Sequence, residues 1–474
     1  MASATLGIAD AATLTPSEVS EIWLGHLMSF CIPLTALVYV WTGPHTWYTA
    51  PLLVVPLAIF HWADTRPLIE RRQPLDSLPA WPFDLLVYAL TAIHFLILYK
   101  MAVLFTAQSV FSVDMLMIFV VVGSNSGFSI ITAHELIHRK TGWEQLLGRL
   151  LLCTVMYEHF YTEHLRGHHV RVGTPEDPAT ARFGESYRAF WRRTVPAQFK
   201  SAWRLEAKRL GDEEMHLFDA RMLGNRIVHG LIAESALAFA ILYFFGGVAF
   251  GAYLLQAFVA VRALEAVNYF EHWGLRRMGR RVRPLDSWDT HSWFTYYGLI
   301  GLSRHADHHA NPSRPYQQLR VWDQAPVLPV GYVALVDMVI GRNDDFRKLA
   351  SAELERRRLG PFADDPPPFP EPEVDRGPAT WIARQFTRLP SALRPVVGLA
   401  IVLCLVSLGM AFEAGPSMSW VDALLYNGAI VAILGAILTA RFWIQKQVQN
   451  NWISWGIALV LIPIVGTLVT PWLS

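Results

Sequence analysis

Long apolar stretches recur along the chain and set the strongest limit on how it can fold. Nine of them approach the roughly 20 residues that an α-helix needs to cross a membrane. Because lipid offers the backbone no hydrogen-bonding partners, such stretches must form helices. They lie at about 21–41, 46–62, 84–106, 111–133, 228–246, 248–270, 393–413, 420–440 and 453–472. The sequence therefore predicts an all-α integral membrane protein.

The distribution of basic residues predicts how these spans are oriented. Three polar segments are rich in arginine: 63–82, 134–227 and 271–392. The short connections between spans contain no lysine or arginine: 42–45, 107–110, 246–248 and 414–419. By the positive-inside rule, the arginine-rich segments face the cytoplasm and the spans pair into hairpins with short outer turns. We therefore expect a multi-pass protein of the cell inner (plasma) membrane.

Composition agrees with a membrane protein and argues against a nucleic-acid-binding one. Hydrophobic residues make up 53% of the 474 residues and charged residues only 17%, compared with about a quarter charged in soluble domains. The mean hydropathy is +0.29. The formal net charge of +1 leaves no broad basic surface for nucleic acid.

One composition shift predicts a domain boundary. The stretch "GPFADDPPPFPEPEVDRGPAT" is acidic and proline-rich, which is typical of an extended linker. We expect an N-terminal tail at 1–20, a six-helix transmembrane bundle at 21–350, a linker at 351–390 and an extension of about three spans at 391–474.

Histidines concentrate in three short windows of this sequence. The windows "HELIH", "HLRGHH" and "HADHH" total 16 residues and hold eight of the 17 histidines. Residues three or four apart share a helix face, so the imidazoles of each window can converge on one point. A ninth histidine, His272 in "NYFEHWG", directly follows the sixth span. Since neutral imidazole binds Zn, Cu, Fe and Ni, the pattern predicts a metal centre on the cytoplasmic side.

The first window, taken alone, has a competing interpretation. "HELIH" is the pattern of a zinc protease, with His134 and His138 as ligands and Glu135 as general base. Nine imidazoles, however, are too many for one metal and suit two metals at four or five each. A nitrogen-rich pair of metals favours oxygen activation over hydrolysis. Four acids interleave with the histidines and are predicted to orient imidazole N–H groups: Glu135, Glu163, Glu271 and Asp307.

Several motifs together resemble a known family. "HELIHRK", "EHLRGHH", "NYFEHWGL" and "LSRHADHHANPSRPYQQLR" are similar, in order and spacing, to the signature motifs of the membrane alkane 1-monooxygenases. "TPEDPATARFGES" and "LPVGY" also resemble that family. The likeness covers about residues 20–345. The chain has "LSRH" where the family usually has "LQRH", and the sequence beyond residue 360 has no counterpart in the family.

This resemblance implies a fold, a cofactor and a reaction. It implies six transmembrane helices, two Fe ions in a di-iron centre, and terminal hydroxylation of a hydrocarbon to a primary alcohol. Asp177 in "DPAT" and Asn268 in "NYFEH" match family positions and are predicted to support the ligands. Carried over motif by motif, the metal ligands are His134, His138, His164, His168, His169, His272, His305, His308 and His309.

The resemblance also implies electron-transfer partners. In the family, electrons pass from NAD(P)H through rubredoxin reductase and rubredoxin, whose iron is held by two CxxC pairs. The chain's cysteines, Cys31, Cys153 and Cys404, form no such pair. We therefore expect rubredoxin and its reductase to be separate proteins.

The sequence leaves the substrate and part of the chemistry open. A related di-iron membrane enzyme could act on aromatic methyl groups, terpenes or fatty-acyl chains, as a hydroxylase or a desaturase. An intramembrane zinc protease is the third hypothesis. Phe60 and Trp62 in the second span are candidates to shorten a substrate tunnel, although Trp62 also suits an interfacial position.

Overall fold

Helices are the dominant secondary structure in the part of the chain that the structure describes. This computed structural model describes residues 16–372 except 47, 48, 75–77, 111 and 217, together with residues 419, 421 and 428. The α-helices, in chain order, are α1 (Pro16–His26), α2 (Cys31–Thr42), α3 (Val55–Asp64), α4 (Trp81–Leu104), α5 (Val113–Met117), α6 (Gly123–Ile137), α7 (Gly142–Cys153), α8 (Phe160–Thr162), α9 (His169–Arg171), α10 (Tyr187–Arg209), α11 (Arg226–His272), α12 (Trp293–Gly298), α13 (His305–Ala310), α14 (Tyr332–Gly341) and α15 (Asn343–Arg357). Among these residues, β-pairing is limited to isolated bridges, Ile69 with Ser292 and Asp289 with Val327. The all-α prediction is confirmed.

Within the described part of the chain, four helical segments are long and apolar enough to cross a membrane. They are Val19–Thr42, Trp81–Leu104, Val113–Ile137 and Arg226–His272. The first three correspond to predicted spans. The predicted second span contains only a short apolar helical segment, Leu52–Asp64, whose first turn is a 3-10 helix.

The predicted fifth and sixth spans together make up α11, whose helical backbone is interrupted at Gly246. This glycine has φ 85° and ψ 177°, a conformation open almost only to glycine. The Glu234 carboxylate accepts a bond of 2.7 Å from the Glu158 amide, and the Gln256 side chain donates one of 2.8 Å to the Thr154 carbonyl. In a straight helix, residues 234 and 256 would be about 33 Å apart, too far for both to reach the segment 154–158. The chain therefore doubles back at Gly246, within the predicted turn at 246–248. The total of six crossings stays a prediction.

The predicted domain boundaries shift or fall outside the described residues. Helix α1 begins at Pro16, inside the predicted tail, and α15 continues to Arg357, beyond the predicted linker start at 351. The sequence of α15 contains no proline or glycine, so nothing stops the helix before Arg358, which adopts a left-handed conformation. The three predicted C-terminal spans lie outside the described residues except for 421 and 428.

A close contact between α6 and α7 positions the "HELIH" histidines. Helix α7 packs against the end of α6, where the "HELIH" residues lie. A Cβ atom at Gly148 would lie 2.7 Å from the Ile137 side chain and 2.9 Å from the Ala133 carbonyl oxygen. Glycine at this position therefore lets α7 close onto α6 and fix that end of the helix.

Candidate metal centre

The structure brings nine histidines from four separate segments together and divides them into two groups. The five-histidine group contains His134, His138, His164, His169 and His308. The four-histidine group contains His168, His272, His305 and His309. Within each group the nearest ligand nitrogens all lie within 4.8 Å of one another. The expectation of two metal sites with four or five imidazoles each agrees with this grouping.

The distances between ring nitrogens match those of ligands that share a metal ion. The Nε2 atom of His164 lies 3.1 Å from that of His138 and 3.0 Å from that of His169. In the other group, the Nε2 atoms of His305 and His272 are 3.2 Å apart. Two nitrogens bound to one ion at about 2.1 Å lie about 3.0 Å apart at a right angle and about 3.4 Å apart in a tetrahedron.

Hydrogen bonds between the rings cannot account for these short contacts. A ring nitrogen that donates its proton has no lone pair left to accept another. His164 Nε2 is in contact with two other Nε2 atoms at once, and His169 Nε2 is also 3.1 Å from His308 Nε2. At most two of these three contacts can be hydrogen bonds, whereas one cation satisfies all four nitrogens.

A π-helical turn explains why the second window serves both groups. We predicted that His164 and His168, four residues apart, aim at one point. The structure contradicts this, since His164 joins His169 in the five-histidine group while His168 joins the other group. Residues Glu163–His168 form a π-helix, in which hydrogen bonds join residues five apart instead of four. The wider turn brings positions 164 and 169 into register.

Helix α13 also contributes to both groups. His305 and His309, four residues apart, belong to the four-histidine group, and His308 belongs to the five-histidine group. The prediction that all three share one target was therefore wrong, because residues 308 and 309 point about 100° apart on an α-helix of 3.6 residues per turn.

The two groups are in direct contact. The rings of His169 and His309, one from each group, stack with centroids 4.4 Å apart and an interplanar angle of 26°. Two bound metals would therefore be neighbours.

Burial keeps several of these imidazoles in the form that binds metal. Burial and the neighbouring imidazoles lower the pKa of His164, His305 and His308 well below the usual 6.5. At neutral pH these three rings are therefore uncharged, each with a lone pair free for a cation. His168 Nε2 and His309 Nε2 are buried and have no hydrogen-bond partner. The donor set fits a nitrogen-binding transition metal in each group.

Asp177 holds one of these rings in place. Its Oδ2 atom lies 2.9 Å from His168 Nδ1 and accepts a hydrogen bond of 2.6 Å from the Thr180 hydroxyl. A proton on His168 Nδ1 leaves the lone pair of Nε2 directed at the four-histidine group. The role of Thr180 was missed at the sequence level, although it belongs to the same "DPAT" motif.

Replacing Asp177 with alanine should weaken metal binding without removing a ligand. We expect the affinity for the bound metal to fall about 10- to 100-fold, because His168 loses the acceptor that fixes its tautomer and orientation. Metal retained after dialysis against a graded chelator would measure this loss. Glu176→Ala is the control, since Glu176 is exposed and should leave metal retention unchanged. Equal retention by the two variants would contradict the assignment of Asp177.

Glu271 is the second of the predicted acids that lies beside an imidazole. Its Oε1 atom is 3.3 Å from His305 Nδ1, but the two atoms do not form a hydrogen bond. Both groups are buried.

Three other acids predicted to orient imidazoles pair with arginines instead. Glu135 contacts Arg139 at 2.8 Å, and Glu163 contacts Arg171 at 2.7 Å. Asp307 accepts hydrogen bonds from the side chains of Arg314, Asn311 and Trp322. These acids therefore anchor the segments that carry the histidines. The physical reason is charge: an arginine offers a buried carboxylate a full compensating charge, which a neutral imidazole does not.

Asn268 takes part in a buried polar network next to the centre. Its amide donates a 3.2 Å bond to Glu265, which also accepts from the Tyr157 hydroxyl at 2.9 Å and from Gln198 at 2.8 Å. The sequence pointed to Asn268 but not to Glu265, which lies inside an apolar span with no motif around it.

An apolar cavity of about 520 Å³ leads to the histidines. Its walls come from α2, α3, α6, α11 and α14, and its lining includes His134 and His164 of one group and His305 of the other. Phe60 lines this cavity, as the sequence suggested. Trp62 instead lies beneath the Arg66 guanidinium, 4.3 Å from its ring centroid.

A buried carboxylate joins two of the cavity's walls. Asp64, at the end of α3, accepts hydrogen bonds from the Val333 backbone and from the side chains of Ser292 and Thr295. A Cβ atom on Gly331 would lie 1.8 Å from Asp64 Oδ1, so glycine in "LPVGY" makes room for this contact. Asp64 thus fixes the N-terminus of α14 to α3.

Comparison with protein families identifies one matching family model, described as fatty acid desaturase, over residues 112–329. These residues include all nine histidines of the two groups.

Curated relatives are similar over the same region and beyond it. Alkane 1-monooxygenase 1 of Pseudomonas aeruginosa is 43% identical over 44% of this chain and 56% of its own length. The chain thus spans just over half of that relative. Alkane 1-monooxygenase 1 of Alcanivorax borkumensis is 32% identical over 66% of this chain and 79% of its own length. Alkane 1-monooxygenase of Pseudomonas putida is 33% identical over 66% of this chain and 76% of its own length.

Proposed function

Because the chain belongs to the alkane 1-monooxygenase family, we propose that it hydroxylates the terminal carbon of a hydrocarbon, using O2 and giving a primary alcohol and water. The observation that carries this proposal is the apolar cavity, whose walls include histidines of both groups. A hydrophobic substrate in this cavity would lie beside the metal centre.

We assign two Fe ions to the centre, one to each histidine group. The five-histidine group would hold one ion and the four-histidine group the other, and together the two ions would supply O2 activation. Asp177 would orient His168 through its hydrogen bond, and Glu271 would supply a negative charge beside His305. Imidazole ligands alone suit several metals, so the choice of iron rests on the family.

The chain's own residues hold and align the substrate. Apolar side chains on α2, α6, α11 and α14 exclude water from the cavity and bind a hydrocarbon by burial. Polar lining residues include Asn268, one helical turn before His272, and Glu271, 3.3 Å from His305. We propose that the terminal carbon of an alkane lies among the histidines while its tail lies between Phe119, Val120 and Phe258.

In this proposal, the electron donor and the membrane location are those of the family. Rubredoxin, reduced by NAD(P)H through rubredoxin reductase, would deliver two electrons per turnover. The arginine-rich segments that surround the histidines would face the cytoplasm by the positive-inside rule. Arg280 and Arg281 are exposed near the end of α11 and would attract an acidic electron carrier. The protein would thus lie in the inner (plasma) membrane with its centre on the cytoplasmic side.

A second candidate function is desaturation or hydroxylation of another apolar substrate. The matching family model is described as fatty acid desaturase, which favours this alternative over a protease. Aromatic methyl groups and terpenes also suit an apolar cavity. A protease that uses one zinc ion leaves most of the nine clustered histidines without a role.

The test is metal analysis followed by turnover of octane. Purified protein should contain about two irons per chain and, with rubredoxin, its reductase and NADH, should convert octane to 1-octanol. An alkene product would favour desaturation. One zinc ion per chain, or no product from octane, would contradict the proposal.

A substitution in the cavity wall tests whether octane is bound and hydroxylated in this cavity. Val336 on α14 lines the cavity and is half-buried. Val336→Phe should lower kcat/KM for octane about tenfold, the effect of roughly 1.4 kcal/mol, with iron content unchanged. Met338→Phe is the matched control on the same helix, because Met338 lies outside the described lining.

A further inference from the structure

A basic cleft lies beside the apolar cavity, between residues of α10, α11, α14 and α15. It has a volume of about 800 Å³ and shares Arg262 and Ile340 with the cavity. Asp344 in its wall is already paired with Arg347. The charged residues of the lining are four arginines and two acids: Arg188, Arg192, Arg262, Arg347, Asp344 and Glu371. This excess of positive charge favours an anion in the cleft.

Two of the arginines have no acidic partner. Among the described residues, neither Arg188 nor Arg262 forms an ion pair with a carboxylate. The Arg262 guanidinium stacks on the rings of Tyr187, at 4.6 Å, and Trp191, at 4.8 Å. The Tyr187 hydroxyl also donates a 2.6 Å hydrogen bond to the Arg262 carbonyl. Stacking uses the faces of a guanidinium, so its N–H donors, which lie in the plane, remain suited to the oxygens of a phosphate.

The position of Arg262 along α11 matches the head-group level of a bilayer. The chain reverses at Gly246, and Arg262 follows 16 residues later, after about 24 Å of helix. The hydrocarbon core of a bilayer is about 30 Å thick. With the turn at Gly246 on the outer side, as proposed above, Arg262 lies near the inner boundary of this core, where a long side chain can extend to the head groups. Its stacking partners, a tyrosine and a tryptophan, are the residue types enriched at that boundary.

Exposed apolar side chains continue from the cleft towards the membrane. Phe258, one helical turn before Arg262, is 54% exposed, and Ile340 is 47% exposed. The Phe258 ring packs against Trp191 of the cleft, with ring centroids 6.2 Å apart. The basic cleft and this apolar surface are therefore continuous. Together they fit a molecule with an anionic head group and acyl chains.

We propose that the cleft binds the phosphate head group of an anionic membrane phospholipid, such as phosphatidylglycerol. Arg188 and Arg262 would bind the phosphate oxygens, and the acyl chains would lie on Phe258 and Ile340. A zwitterionic lipid such as phosphatidylcholine carries no net charge and gains less from the surplus arginines. The phospholipid is bound intact, so the site is separate from the reaction at the histidines. Because Ile340 and Arg262 belong to both linings, the bound lipid would border the apolar cavity.

The test measures lipid binding to the purified full-length protein in detergent. Native mass spectrometry of the delipidated protein, titrated with phosphatidylglycerol or phosphatidylcholine of identical acyl chains, gives the affinity for each lipid. We expect the wild type to bind phosphatidylglycerol at least tenfold more tightly. Arg188→Gln and Arg262→Gln should each lower this preference about fivefold, the effect of one basic residue beside an anionic lipid. The unfolding temperature reports the folding of each variant. Because Arg188 is only half-buried, its variant keeps the test decisive if Arg262→Gln does not fold.

Two controls make the result specific. Arg204 is exposed on the same helix, α10, but lies outside the cleft lining, so Arg204→Gln should leave the lipid preference unchanged. Glycerol 3-phosphate has a phosphate but no acyl chains, and at equal concentration it should not displace phosphatidylglycerol. Displacement by glycerol 3-phosphate would overturn the inference and indicate a site for a soluble phosphate.

Two further outcomes would overturn the lipid site. They are equal affinity of the wild type for the two lipids and an unchanged preference in Arg188→Gln. Neither measurement involves turnover of octane, so a failure of this inference is distinguishable from a failure of the proposed function.

Discussion

Replacing His308 with alanine is expected to remove iron from the protein and lower octane hydroxylation more than 100-fold, beyond the usual effect of losing a residue that only supports a ligand. His308 belongs to the five-histidine group, and its Nε2 atom lies 3.1 Å from that of His169. Its ring also lies 4.4 Å from the ring of His134, centroid to centroid. Iron per chain, measured on purified protein together with the rate of 1-octanol formation, checks the expectation.

His159→Ala is the matched control for this experiment. His159 is also buried and lies in the segment before the π-helical turn, but it packs on Tyr157 and Phe199 and belongs to neither histidine group. We expect this variant to keep its iron and to lose only some stability. If His308→Ala retained two irons and full activity, the five-histidine group would not be a metal site.

Inserting an alanine after Arg166 should be as damaging as removing a ligand. The π-helix Glu163–His168 already contains one more residue per hydrogen-bonded turn than an α-helix. A further residue would not fit within this turn and would rotate everything after it by about 100°. His168 and His169 would then leave their groups, and both metal sites would lose a ligand. We expect iron content and octane turnover to fall at least as far as in His308→Ala.

The substitution Arg166→Ala separates the change of register from a local change of side chain. Arg166 is exposed, so its truncation should leave iron content and turnover within about twofold, as for most surface substitutions. An insertion variant that bound two irons would show that the register of this turn is not needed for the centre.

The helices were predictable because apolar length and lipid chemistry leave the backbone little choice. The turn within α11 could also be predicted from the sequence. The connection at 246–248 has no charged residue and contains Gly246, whose backbone conformation allows the chain to reverse direction. The short second helix was harder to anticipate. Its segment is apolar enough for a span, but Pro51 and Pro56 lie in its first turns, and the helical part begins as a 3-10 turn.

The histidines could be found from the sequence, but their division could not. Spacing arguments assume 3.6 residues per turn, and the π-helical turn breaks that assumption at His164 and His168. The ion pair between Glu135 and Arg139 could have been predicted from their i, i+4 spacing on a helix. Because Glu135 lies next to His134 in the sequence, it was instead expected to orient an imidazole. Asp64 illustrates a different limit: its partners Ser292 and Val333 are more than 200 residues away in the sequence, and no local pattern connects them.

Two short elements, the π-helical turn with α9 and helix α13, each supply imidazoles to both histidine groups. A cation in one group would therefore restrain the same few residues that present ligands to the other group. Ordering these residues costs conformational entropy, and the first cation would meet most of that cost for the second. The two sites would consequently be linked thermodynamically, so that a change in the ligands of one group would also alter metal uptake by the other.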